Sequence, residues 1–242
     1  MRRVLATVAT AALLLAGGCG GRSYEVRLDK TLEAMRYKKR LDDNLAPAPT
    51  KGKLEQNLIF IRPPKGLDGP ANEFTLVPAL EPDKFDVADT FFEKGKQTMH
   101  VLARVKRPKG PANKKGAAPE APKAERHEFV PDVIELLNSA YSLELDPAKA
   151  KEESKKQNKF RHLTFEANGK NVQVYFYGNK TSVYELALIF EYPKSEQANL
   201  VSKIELCLES FATGEKARRA FSGTMTEEEG GEAGAGGAPV AF

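Results

Sequence analysis

Tryptophan is absent from this 242-residue chain, cysteine occurs twice and histidine three times. Two cysteines permit one disulfide at most, so stability has to come from a hydrophobic core and not from covalent staples. His100, His127 and His162 lie far apart, and none has a partner at the spacing of a metal site. No G-x-S-x-G elbow, Ser-x-x-Lys pair, phosphate-binding glycine loop or H-E-x-x-H helix is present. The adjacent acids Asp42-Asp43 and Glu152-Glu153 fall in polar runs, and neighbours in a helix do not face each other. The sequence therefore names no catalytic residue, no metal ligand and no cofactor, and an enzyme is not expected. His100 and His162 fall in strand-like segments, where alternate side chains face water, and read as surface or edge positions. Cys207 sits on the apolar stripe of a helical segment and reads as a small core hydrophobe.

Long apolar runs are also missing, with one exception at the start. Arg2 and Arg3 precede an apolar stretch over residues 4–15, which ends in Ala16, Gly17 and Gly18. Positive, apolar and small-residue regions in that order make a secretory signal peptide over residues 1–18. The stretch is too short to span a bilayer, which takes about 20 apolar residues.

The run Leu15-Ala16-Gly17-Gly18-Cys19 resembles the lipobox of bacterial lipoproteins, whose cysteine becomes the lipidated first residue of the mature chain. That family favours a branched aliphatic residue where Ala16 stands, with Leu15 one step earlier. An ordinary signal peptide cut near Gly18 or Gly21 is the alternative. The resemblance implies a lipid on Cys19, a membrane as partner, and a place on the cell membrane or outer membrane facing the periplasm or exterior. Gly20, which is not aspartate, favours the outer membrane where the cell has one. Buried acyl chains contribute about 0.8 kcal/mol per CH₂ and would anchor the chain firmly. Cys207 would then be alone in the mature fold.

The formal charge is +4, but it is uneven. Between residues 104 and 126 eight basic side chains face only Glu120 and Glu125. The segment 106–126 is also rich in Pro, Gly and Ala without periodicity, which predicts a disordered insertion. Its residues Lys106, Arg107, Lys109, Lys114 and Lys115 are candidates for contact with an anionic surface, each adding about 1 kcal/mol. A solvated loop kept soluble by its charges is the favoured reading of them. Nucleic-acid binding is not expected, because the charge is not spread over a folded face with interleaved aromatics.

Residues 22–45 predict a helix with Leu28, Leu32 and Met35 on one stripe. Ala46-Pro47-Ala48-Pro49 then reads as an extended linker, giving a lipidated N-terminus, helix and tether over residues 19–53. Short strands are expected at 58–61 and 74–77, a turn of helix at 86–93, and a strand at 98–105. Residues 129–145 predict a helix with Pro131 in its first turn and Ile134, Leu137 and Tyr141 inward. After a polar connector, residues 160–167, Asn168-Gly169 and 172–177 spell a hairpin. Residues 183–192 read as a central strand. Ser195 is the expected cap of a last helix carrying Leu200, Ile204, Cys207, Leu208 and Phe211, with Gly214 as its stop. The acidic and glycine-rich tail, residues 223–242, is expected to be disordered.

This order predicts an α+β domain over residues 54–222, an antiparallel sheet with helices packed on it. Three places resemble the PsbP-like superfamily: Ile59-Phe60-Ile61-Arg62-Pro63-Pro64-Lys65-Gly66, the strand from Tyr184 to its end at Pro193, and Ile204-Glu205-Leu206-Cys207-Leu208-Glu209-Ser210-Phe211. Leu67 stands where that family carries tryptophan. The resemblance implies an α/β/α sandwich and a non-enzymatic module that presents a sheet or loop face to another envelope protein. The alternative is an envelope carrier holding a small apolar or anionic ligand between sheet and helices, near Phe176, Tyr184 and Phe190.

Overall fold

The computed structural model describes residues 21–71, 74–76, 84–106, 128–155, 158–179 and 181–221. Expectations for residues 1–18, Cys19, Arg107, Lys109, Lys114, Lys115, His127 and the 223–242 tail lie outside these. One compact unit holds the first helix up to Leu41, and a second begins at Asp42.

Helix α1, Gly21–Asn44, forms where 23 consecutive residues carry neither proline nor glycine after Gly21. Among the described residues no helix is long and apolar enough to cross a membrane.

The second unit opens with a docked strap and not with a free linker. Leu45 and Ala48 are buried, and Leu45 forms an antiparallel bridge with Pro64. The Ala46 amide donates to the Pro63 carbonyl at 2.9 Å. Arg62 gathers the strap's carbonyls, with Nε on Ala46 O at 3.0 Å and Nη2 on Leu45 O at 3.2 Å. Prolines 47 and 49 keep the strap extended, and Lys65 takes helix-end acceptors, its amide bonding Asn44 O at 2.9 Å and its Nζ Asp42 O at 3.2 Å. A short helix α2, Lys53–Gln56, leads to strand β1, Ile59–Phe60.

The main sheet is built from β2 (Val87–Glu93), β3 (Gln97–Val105), β4 (Lys151–Lys155), β5 (Asn158–Ala167), β6 (Lys170–Tyr177) and β7 (Tyr184–Pro193). Its order is β2-β3-β7-β6-β5-β4 and every pairing is antiparallel. The β5–β6 hairpin closes through Asn168 and Gly169, both at positive φ (52° and 75°), as a two-residue loop with matching twist requires.

Three segments differ from expectation. Residues 87–93 form β2 and not a helical turn: Val87 and Phe91 fit helical spacing, but Val87, Asp89 and Phe91 share one sheet face with the β3 register. Strand β4 was expected as a polar connector. It is an edge strand of Lys, Glu and Ser, with no apolar alternation to announce it, and charges of this kind keep an edge from pairing with other chains. Phe74, Thr75 and Leu76 are not in a strand, though Phe74 and Leu76 are buried, and Val77 is outside the described residues.

Helix α3, Phe129–Tyr141, covers one face of the sheet. Phe129, Val133, Ile134 and Leu137 meet Leu102, Leu163, Val174, Ala187 and Ile189 there. The helix stops at Tyr141, short of 145, because Ser142 turns left-handed and Asn138 Oδ1 accepts the Leu145 amide at 2.7 Å. Helix α4, Gln197–Glu209, lies over the other face, where Tyr177 packs on Phe211 at 4.7 Å. Ser195 makes no cap: it falls in a 3-10 turn, Lys194–Glu196. Ser210 closes α4 through Oγ on Cys207 O at 2.7 Å, so Gly214 is not its stop. Gly214 instead begins α5, Gly214–Phe221, after β8, Ala212–Thr213, has paired with β1. The domain is α+β, with an antiparallel sheet between helical layers.

Candidate functional site

Strand β3 runs inside the sheet with cover on both faces, so alternation gives it no wet side. His100, expected near water, is buried. Thr90 stands directly opposite it on β2, and Thr90 Oγ1 lies 3.0 Å from His100 Nδ1. The Thr75 amide donates to the same hydroxyl at 3.3 Å. Nε2 faces Glu191 Oε1 of β7 at 2.8 Å. Tyr141 of α3 donates to that same oxygen at 2.5 Å, and Lys170 of β6 reaches Oε2 at 3.1 Å.

Burial by itself raises the Glu191 carboxyl, yet His100, Tyr141 and Lys170 together hold it down to about 2. The Tyr141 hydroxyl is pushed far up by burial and by the Glu191 charge. Three strands and helix α3 thus meet at one carboxylate, and Thr90 joins β2 to them through His100.

Thr90, His100 and Glu191 have the order of a nucleophile, base and acid. Thr90 has no exposed surface, however, and the Phe74 ring stands 5.5 Å from the His100 ring, edge to face. Among the described residues the arrangement links strands to a helix.

A second buried polar contact joins the same helix to β3. Arg104 pairs with Asp132 of α3, both buried. Its Nε donates to Lys84 O at 2.6 Å, and its guanidinium lies 5.3 and 5.6 Å from the Phe85 and Phe129 ring centres. Arginine suits this place because its planar fork can bond in-plane while stacking on aromatics.

The opposite face carries an aromatic row, Phe160–Tyr175 at 5.3 Å and Tyr175–Phe190 at 6.0 Å, with His162 stacked on Tyr175 at 4.5 Å. His162 is half-buried, and Glu153 lies 3.5 Å from its Nδ1. Cys207 is buried, and burial pushes its thiol far up, as suits a core residue. Asp89 is also raised by burial, against the pull of Lys53, and its Oδ2 lacks a partner among the described residues.

A cleft of about 860 Å³ opens at one end of the sheet. Phe129, Phe160 and Phe176 are among its apolar lining, with Arg161, Glu152 and Glu185 among its polar lining. Of the expected ligand-lining residues, Phe176 is on this cleft, while Phe190 is buried in the aromatic row. Among the five expected anion contacts only Lys106 is described. Its Nζ lies 3.4 Å from Glu185 Oε2, so it answers a carboxylate of its own chain. Glu152 and Glu153 are neighbours on a strand and point to opposite sides. Among the described residues no three His, Cys, Asp or Glu side chains gather as a metal site.

No protein-family model matches the chain, and no curated protein does. Solved structures similar to it include the following two. The cyanobacterial PsbP (CyanoP) of Synechocystis is 11% identical, with a TM-score of 0.41 over 71% of this chain and 93% of its own. The Ran-binding protein Mog1p of Saccharomyces cerevisiae is 11% identical, with a TM-score of 0.37 over 69% of this chain and 95% of its own.

Proposed function

We propose that this chain is a membrane-tethered interaction module without a catalytic role, held in the cell envelope by lipid on Cys19. One observation supports it above the others: His100 with Glu191, and Arg104 with Asp132, are buried and bonded to each other. His100, Glu191, Arg104 and Asp132 all tie helix α3 to the sheet, and Cys207 lies in the core. What the domain turns outward is shape and charge, the means by which a partner protein is recognised. Crosslinking in intact cells followed by affinity purification tests this reading. Recovery of the same envelope protein in repeated experiments is expected, and the absence of any reproducible partner counts against it.

The cleft beside Phe176 supports a second reading, a carrier of a small amphipathic ligand. Native mass spectrometry of protein purified from its own cells would show a bound mass above that of the mature chain. The bare mass alone, in every preparation, removes this reading.

A further inference from the structure

Helix α1 carries an apolar stripe that is exposed among the described residues. Tyr24, Leu28, Leu32 and Met35 are 67, 44, 40 and 63% exposed, and their spacing of four, four and three places them on one arc. The second half of the helix is basic, whereas the first brings Glu25 to about 20° beyond Leu32. Arg36, Lys38 and Lys39 are all exposed, and no acid lies between Glu33 and Asp42. At about 100° per residue, Lys39 falls within the arc, Lys38 lies about 60° from Met35, and Glu33 lies on the far side. Long lysine stems lie along apolar surface while their ends reach charge.

We propose that α1 lies flat on an anionic phospholipid surface, with the Tyr24–Leu28–Leu32–Met35 stripe in the interface and Lys38 and Lys39 on the headgroups. This rests on the membrane-tether reading and extends it, because the stripe begins five residues after Cys19. A helix with an apolar face, a cationic flank and low overall hydrophobicity has the character of an interfacial helix. A second copy of α1 fits less well. The stripe covers about three turns, short of the three to four heptads a coiled coil sustains. Two copies held by N-terminal lipids would also run parallel, setting Lys38 and Lys39 against their own equivalents.

The test uses the mature chain twice, once lipidated and once with Cys19→Ser, on vesicles of pure phosphatidylglycerol or pure phosphatidylcholine. An environment-sensitive fluorophore is placed at Leu32→Cys or Glu33→Cys. The unlipidated chain is expected to sediment with phosphatidylglycerol, to leave it at high salt, and to ignore phosphatidylcholine. The probe at 32 should shift to the blue and the probe at 33 should not. Lys38→Gln and Lys39→Gln should each weaken binding about fivefold. If the lipidated chain sits on the vesicle while both probes stay equally wet, the tether stands and this inference falls. Phosphatidylglycerol binding by a natural mature chain that mass spectrometry shows to lack lipid upholds this inference and removes the tether. Energy transfer between Leu32 probes that grows with protein concentration, without vesicles, assigns the stripe to a second copy and overturns the proposal.

Discussion

His100 Nε2 and Glu191 Oε1 meet at 2.8 Å on the covered side of neighbouring strands, although the residue facing His100 in the ladder is Ile189. The contact is therefore diagonal, from β3 to the next same-face position on β7. It leaves Glu191 within reach of Tyr141 and Lys170 as well.

Removing one member of such a buried cluster strands the others without water, at a cost of roughly 3 kcal/mol. Glu191→Ala is expected to lower the melting temperature by roughly 6–12 °C for a domain of this size. Differential scanning calorimetry measures it. A shift within a degree of the parent would show the cluster to be incidental.

Acid should act through the same carboxylate. Its folded value, about 2, lies below the ordinary 4.5, so the folded state binds its proton less readily than the unfolded chain does. The stability it contributes is complete above about pH 4.5 and is lost as the pH falls towards 2. Urea midpoints measured across that window should fall steadily for the parent chain and more shallowly for Glu191→Gln. Parallel slopes would assign the acid sensitivity elsewhere.

Arg104 and Asp132 invite a double-mutant cycle. Asp132→Ala alone leaves a buried guanidinium without its carboxylate, and should cost roughly 3 kcal/mol. Adding Arg104→Leu is expected to recover part of that loss, since an apolar pair between Phe85 and Phe129 needs no charge partner. Simple additivity of the two costs would refute the pairing.

Gly178 makes the turn after β6 at φ 81°, and a Cβ there would collide with the Tyr184 carbonyl. Gly178→Ala joins left-handed strain to a clash with backbone that cannot swing aside. It should destabilise the fold well beyond the ~1 kcal/mol of an ordinary glycine exchange. Equilibrium unfolding decides it, with Gly169→Ala, which meets open space, as the milder comparison.

Thiol counting reads two residues at once. Buried Cys207 should not react with Ellman's reagent until the chain unfolds. The unfolded mature protein should then show two thiols if it keeps an unlipidated Cys19, and one if Cys19 bears lipid or has been cleaved away, which the mass of the N-terminus distinguishes. Reaction in the folded state would place Cys207 outside the core.

Much of the fold was legible because its signals are local. Asn168-Gly169 names its own turn, and the apolar run from Tyr184 to its proline end marks the strand lying third of six. Strand β4 was not legible, since an edge of lysine and glutamate is chosen for what it repels. His100 failed for a different reason. Its burial depends on helix α3 covering the sheet and on a glutamate 91 residues away, and neither lies within a strand's length of it. The apolar stripe of α1 was visible at once, whereas its exposure needed the structure.

Arg62 also determines where a pull on this protein would arrive. A chain held at its N-terminus and drawn by a partner carries tension along α1 to Leu45 and Ala46. There it meets the Leu45–Pro64 bridge, the Ala46–Pro63 hydrogen bond and the two Arg62 bonds to carbonyls. Those contacts share the force between neighbouring stretches of chain, and the Arg62 amide is itself bonded to Ser210 Oγ at 3.0 Å. The domain would resist at this clasp before any strand of the main sheet was asked to slide, so its mechanical strength can be tuned at Arg62 without touching the core.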